Sequence, residues 1–154
     1  GGGSQNEICS CPANTIAGGN ANKHLTGAFC STIGGGNNNC ASAGNAVIGG
    51  GLCNQVTGGC SNIAGGCQNC VTGVRSFIPG GVQNKVCNTL AGAIGSHSHI
   101  QHDCSYTLGV NLTSVCTNTT FVNNLSGGTL SATNGFTGIH CGMCIVGGIV
   151  VGAS

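Results

Sequence analysis

The stretch Ser31-Thr32-Ile33-Gly34-Gly35-Gly36-Asn37-Asn38-Asn39-Cys40-Ala41-Ser42-Ala43-Gly44 is one period of a pattern that runs through most of the chain. Its anchor is an aliphatic residue followed by small residues: Ile16-Ala17-Gly18-Gly19, Ile33-Gly34-Gly35-Gly36, Ile48-Gly49-Gly50-Gly51, Ile63-Ala64-Gly65-Gly66 and Ile78-Pro79-Gly80-Gly81. The central anchors Ile33, Ile48, Ile63 and Ile78 recur at every fifteenth position, and Ile94-Gly95 and Leu108-Gly109 continue the series in weaker form. Three further columns keep phase. Asn39, Asn54, Asn69 and Asn84 stand at the sixth position after each anchor, Val56, Val71 and Val86 at the eighth, and Gly58 and Gly73 at the tenth. Self-similarity at a fixed short period marks a stacked repeat architecture.

Such a period is too short for a helical hairpin but long enough for one coil holding two short strands. Glycines supply the positive φ angles and close approach that two sharp bends per coil require. The anchor Ile and the Val that follows it would point into one interior. Stacked coils place equivalent residues about 4.8 Å apart, so each column becomes a ladder. The Asn column can then hydrogen-bond from coil to coil. A single coil cannot bury its own apolar face, so stability belongs to the stack. The expectation is an all-β chain: a β-solenoid or β-roll over residues 14–116, one coil to each period of the pattern. An N-terminal arm or subunit-linking segment (1–13) precedes it, and a small β cap or strand-exchange segment (117–154) follows.

The block S-x-I-x-G-G-x-x-N-x-V-x-G resembles the head repeat of trimeric autotransporter adhesins, with related repeats in phage and large-virus fibre proteins. The resemblance covers roughly residues 14–116. It implies a left-handed parallel β-roll, three copies packed about a threefold axis, and a homotrimer. This chain is far richer in cysteine than such heads.

Composition narrows the function. Of 154 residues only 3 are Lys or Arg and 2 are Asp or Glu, 3% charged against roughly 25% in ordinary domains. Such a surface has no electrostatic grip on nucleic acid or acidic membranes, and it offers almost no groups for acid–base catalysis. No enzyme is expected. Every apolar run falls well short of the roughly 20 residues that a membrane-spanning helix needs, so no membrane span is expected either. The chain begins at Gly1 and reads as a mature or trimmed product.

Thirteen cysteines point to an oxidising compartment. All are disulfide candidates: Cys9, Cys11, Cys30, Cys40, Cys53, Cys60, Cys67, Cys70, Cys87, Cys104, Cys116, Cys141 and Cys144. Their odd number leaves at least one free, modified or bonded to another chain. Cys30 and Cys60, like Cys40 and Cys70, are two coils apart, roughly 9–10 Å, beyond disulfide reach. They must pair with other columns or other chains. Cys53, Cys60, Cys67 and Cys70 fall on adjacent coils, and the spacing leaves their connectivity open. Two C-x-x-C runs, Cys67–Cys70 and Cys141–Cys144, lack the second knuckle or βαβ context of a zinc or redox site.

His97-Ser98-His99 is the one metal candidate. On a strand, residues 97 and 99 point to the same side, and three copies about an axis would present six imidazoles, which suits an octahedral transition metal. It looks like the H-x-H motif that binds iron along the axis of phage long-tail-fibre tips. The competing reading is a polar turn on the solvent face. No other cofactor is expected. Asp103 beside His102 forms no dyad, since neighbours on a strand face opposite ways and no nucleophile accompanies them. Asn111, Asn118 and Asn124 each begin an N-glycosylation sequon.

These features point to a structural subunit of an extracellular, disulfide-stabilised fibre or filament on a cell or virion surface. Its partner is a further copy of itself, as a trimer or end to end. An adhesin or receptor-binding head taking a surface glycan or receptor is the alternative, resting on Phe29, Phe77, Tyr106, Phe121 and Phe136. An ice-binding protein would need two regular Thr columns, which Thr15, Thr32, Thr57, Thr72 and Thr89 do not form.

Overall fold

The computed structural model describes residues 2–9 and 12–123. Among them every regular element is a strand, and all strands pair in parallel as a β-solenoid of about eight turns. One sheet takes one strand from each coil: β1 (Glu7–Ile8), β3 (Lys23–His24), β5 (Cys40–Ala41), β7 (Gln55–Val56), β9 (Cys70–Val71), β11 (Lys85–Val86) and β13 (His99–Ile100). The second takes the other: β2 (Thr15–Ile16), β4 (Thr32–Ile33), β6 (Val47–Ile48), β8 (Asn62–Ile63), β10 (Phe77–Ile78), β12 (Gly92–Ser96), β14 (Tyr106–Val110) and β15 (Thr120–Val122). The register steps by one repeat at each pairing, as in Ile33↔Ile48↔Ile63↔Ile78 and Val56↔Val71↔Val86. The stack begins before residue 14, because Glu7 pairs with Lys23, and it continues past residue 116, because Thr120 pairs with Tyr106. Of the segment expected as a cap, residues 124–154 lie outside the described residues.

Most strands are only two residues long because a corner follows almost at once. The residue that opens each central strand donates its N–H to a carbonyl of the next coil, as in Val47 N to Ser61 O (3.0 Å) and Gln55 N to Asn69 O (2.8 Å). At the corners the amide donates to the preceding coil instead. Cys53 N donates to Asn37 O (2.9 Å), Gln68 N to Leu52 O (2.8 Å) and Cys60 N to Gly44 O (3.0 Å) of the preceding coil. Each of these donors sits in a left-handed conformation, with φ of 54°, 56° and 55°. Two positive-φ columns therefore run along the stack on non-glycine residues: Asn38, Cys53, Gln68 and Gln83 at one corner, and Cys30, Asn45, Cys60 and Arg75 at the other. A non-Gly residue there costs about 1–2 kcal/mol, offset by the cross-coil bond its amide makes. Glycine is needed for closeness as well as for φ. At Gly66 (φ 92°) an added Cβ would collide with Gly81 O and lie 2.7 Å from Asn69 Nδ2.

The interior is two facing aliphatic ladders. Ile33, Ile48, Ile63 and Ile78 come from the second sheet and Ala41, Val56, Val71 and Val86 from the first, all fully buried. Each corner is closed by a buried polar ladder. Asn54 Oδ1 accepts from Asn69 N (3.0 Å), while its Nδ2 donates to Gly50 O (2.9 Å) in its own coil and Gly66 O (2.9 Å) in the next. Asn39, Asn69 and Asn84 repeat the arrangement. At the other corner Ser61 Oγ donates to Gly73 O (2.7 Å) and accepts from Ser76 N (2.9 Å). Buried backbone polar groups that no strand partner reaches are thereby satisfied.

The last coils correct the sequence reading of the anchors. Ile94 and Leu108 face solvent at 42% and 45% exposure, while Ala93 and Thr107 occupy the buried positions. Phe77 pairs with Gly92, so Ala93 is the residue opposite Ile78, and Ile94 takes the outward place that Gly49, Ala64 and Pro79 hold in earlier coils. The step from Ala93 to Thr107 is then one position shorter than the central period, as Ala93↔Thr107 and Ile94↔Leu108 show. The missing residue comes from the corner after Ala93, where β12 runs straight on to Ser96.

Candidate functional site

Because the interior is closed, any function must reside on the outward columns and corners. The outward column of the first sheet runs Glu7, Lys23, Cys40, Gln55, Cys70, Lys85, His99 and Thr113 in register. Lys23 pairs with Glu7 (3.4 Å), and Cys9 donates its thiol to Glu7 Oε1 (3.3 Å). These neighbours, Cys9 first, hold the Glu7 carboxyl below its ordinary value. Burial pushes the Cys40 and Cys70 thiols up, against a smaller downward pull from Lys23 and Lys85. Raised thiols are poor nucleophiles, so the Cys67-x-x-Cys70 run has no activated member at Cys70.

His97 and His99 do not share a strand. His97 is an exposed corner residue with φ 57°, and β13 starts only at His99. The strand geometry expected for His97-Ser98-His99 is thus corrected: the corner column that carries Cys53 and Gln83 passes through His97. His99 instead meets Cys87, Nε2 to Sγ 3.5 Å, and Gln101, Nδ1 to Nε2 3.1 Å. Burial, with a smaller contribution from Lys85, lowers its pKa. Among the described residues no three of His, Cys, Asp and Glu converge as a metal site. Asp103 does not face His102 but accepts from Thr89 N (2.8 Å), capping a neighbouring corner.

The cysteines divide by column. Cys30, Cys53 and Cys60 are exposed corner residues; Cys40, Cys67, Cys70, Cys87 and Cys104 are half-buried, as are Cys9 and Cys116. Cys30 and Cys60 are indeed separated by an intervening coil, whose Asn45 donates to Cys60 Sγ (3.9 Å). Cys11, Cys141 and Cys144 lie outside the described residues, as does the sequon at Asn124. The sequon residues Asn111 and Asn118 are both exposed positive-φ corners, with φ 58° and 55°.

The second sheet presents an apolar outer face. Ile94, Leu108 and Val122 stand in register on successive coils, all exposed. Beside them the rings of Phe77 and Tyr106 approach to 6.2 Å between centroids, tilted by 42°. The two residues are two coils apart, and the gap is closed by Gly92, where a Cβ would lie 2.6 Å from the Phe77 ring. The sequence names both aromatics but gives no sign of their meeting; the only signal is a glycine in the column between them. The serine corner ladder is likewise visible as a column but not as a hydrogen-bonding device. In comparisons with known proteins, no protein-family model matches this chain, and no curated protein does.

Proposed function

We propose that the chain is a non-enzymatic structural subunit of an extracellular, disulfide-stabilised fibre or filament on a cell or virion surface, assembled as a homotrimer of parallel β-rolls and extended end to end. One observation carries this reading: an uninterrupted parallel stack whose outer face ends in an in-register apolar ladder, Ile94, Leu108 and Val122. A charge-poor chain that leaves such a ladder in solvent gains by covering it with a copy of itself. The part of residues 117–154 that follows β15 then serves as the cap or strand-exchange element, and Asn111, Asn118 and Asn124 as glycan sites. In this reading His99 and Cys87 are surface groups.

The test is negative-stain microscopy of the purified chain with sedimentation at two concentrations. Rods of trimeric mass are expected, with chain-linked bands on non-reducing gels. A compact monomer at micromolar concentration would refute the proposal. The adhesin reading is favoured by the Phe77–Tyr106 pair alone; aromatic faces stack on sugar rings, and binding on a glycan array abolished by Tyr106→Ala would favour it over a purely structural role.

A further inference from the structure

We infer that Cys53 and Cys67 form an intrachain disulfide that staples two successive coils at one corner of the solenoid. The inference deepens the fibre reading, since it rests on the chain maturing in an oxidising compartment.

The register settles the reach. Leu52 and Cys67 are bridged partners on adjacent coils, and Gln68 N bonds to Leu52 O (2.8 Å). Cys53 therefore stands opposite Gln68, about 4.8 Å away across the stack, and Cys67 is the residue before Gln68, about 3.8 Å along the chain. The Cys53–Cys67 Cα separation is then about 6 Å, inside the window a disulfide bridges. Both residues lie on the solvent side. Cys53 is an exposed corner, and Cys67 continues the column of exposed Leu52 and Val82.

The same arithmetic removes the rival pairs on these coils. Cys87 lies two residues beyond Lys85, the partner of Cys70, which places it about 8 Å from Cys70. Cys60 is separated from Cys30 by a whole coil. Cys70, three residues after Cys67, is half-buried with its thiol pushed up by burial, which disfavours its attack on the finished bond.

Closure proceeds by thiol–disulfide exchange with a small-molecule disulfide such as oxidised glutathione. The Cys53 thiolate attacks one donor sulfur and expels a thiolate; the Cys67 thiolate then attacks the Cys53 sulfur and expels the second. Two protein thiols are oxidised, one donor disulfide is reduced to two thiols, and two protons leave with the products.

The reduced, folded full chain is incubated with a glutathione redox buffer, alkylated, and digested without reduction by thermolysin, which cuts ahead of Val56 and Ile63. The expected product joins the peptide ending at Gln55 to the peptide starting at Ile63, two hydrogens lighter than the sum. It persists in Cys60→Ser and disappears in Cys53→Ser and Cys67→Ser. In the oxidised protein each of those two variants lowers the folded-to-unfolded ratio on the order of 100-fold, about 3 kcal/mol for a 15-residue loop; after reduction each equals the parent. A Cys67–Cys70 link, a link between chains at these residues, or full alkylation of Cys53 and Cys67 after oxidation would overturn the inference. Rods lacking the staple would overturn it alone, whereas a stapled compact monomer would overturn only the fibre reading.

Discussion

Replacing Asn54 by Ala tests the physical premise of the whole stack. The side chain is fully buried and serves three backbone groups: Asn69 N (3.0 Å), Gly50 O (2.9 Å) and Gly66 O (2.9 Å). Gly66 O keeps a second donor, Leu52 N (2.9 Å), so its loss is small. Gly50 is half-exposed, and water can take up its carbonyl, so only the net bond, about 1 kcal/mol, is lost. Asn69 N belongs to a fully buried residue and has no alternative acceptor in the corner, so leaving it unpaired costs about 1–3 kcal/mol. The sum is about 2–4 kcal/mol, or roughly 30- to 1,000-fold in local opening. Native-state hydrogen exchange reads this directly: protection of the Asn69 amide should fall by that factor, while Gln55→Ala, on the outward column of the same coil, leaves it unchanged. Exchange at Asn69 within threefold of the parent, with an unmoved urea midpoint, would refute the claim that the Asn ladder holds the coils together.

Three further outcomes follow from the same geometry. Gly66→Ala should be severely destabilising by urea melt, because its φ of 92° and its contact with Gly81 O leave no room, whereas Gly65→Ala meets nothing within 4 Å and should melt within about 0.5 kcal/mol of the parent. Since burial lowers the His99 pKa, the folded chain holds that proton less tightly than the unfolded one. Its contribution is therefore present above the ordinary imidazole value of 6.5 and lost as pH falls through the folded value. Urea midpoints should drop between pH 7.5 and 5, and His99→Gln should flatten that part of the profile. In the reduced protein at pH 8, iodoacetamide should modify exposed Cys30 and Cys60 several-fold faster than half-buried Cys40 and Cys70, whose thiols burial pushes up; equal rates by mass spectrometry would contradict the column assignment.

The central repeats were legible because they obey one rule without exception. Ile33, Ile48, Ile63 and Ile78 are equally spaced and equally buried, so period and burial coincide. Legibility failed where residue type and phase parted. The inward place after Ile78 falls on small Ala93 and then Thr107, while the next residues, Ile94 and Leu108, are aliphatic and followed by glycine, so they imitate the anchor while facing solvent. His97 failed for a related reason: an H-x-H run reads as strand alternation, but the corner column imposes a positive φ on whatever residue falls there. Glycine is the residue the sequence offers for the positive-φ corners. The structure places Cys, Gln, Arg and Leu in them as well, because a cross-coil hydrogen bond offsets the local cost.

What the sequence determines by itself is everything periodic: the parallel stack, the facing Ile and Val ladders, the Asn ladder, and the distance that keeps Cys30 from Cys60. A fixed period converts residue number into position along the stack, and residue type into inside or outside. The tertiary structure alone decides what depends on phase and neighbour. It brings Phe77 to Tyr106 over Gly92, sets Cys87 against His99, and turns Ile94, Leu108 and Val122 outward. Those juxtapositions arise between coils, where a one-residue change in coil length shifts every later column, and no single repeat contains that information.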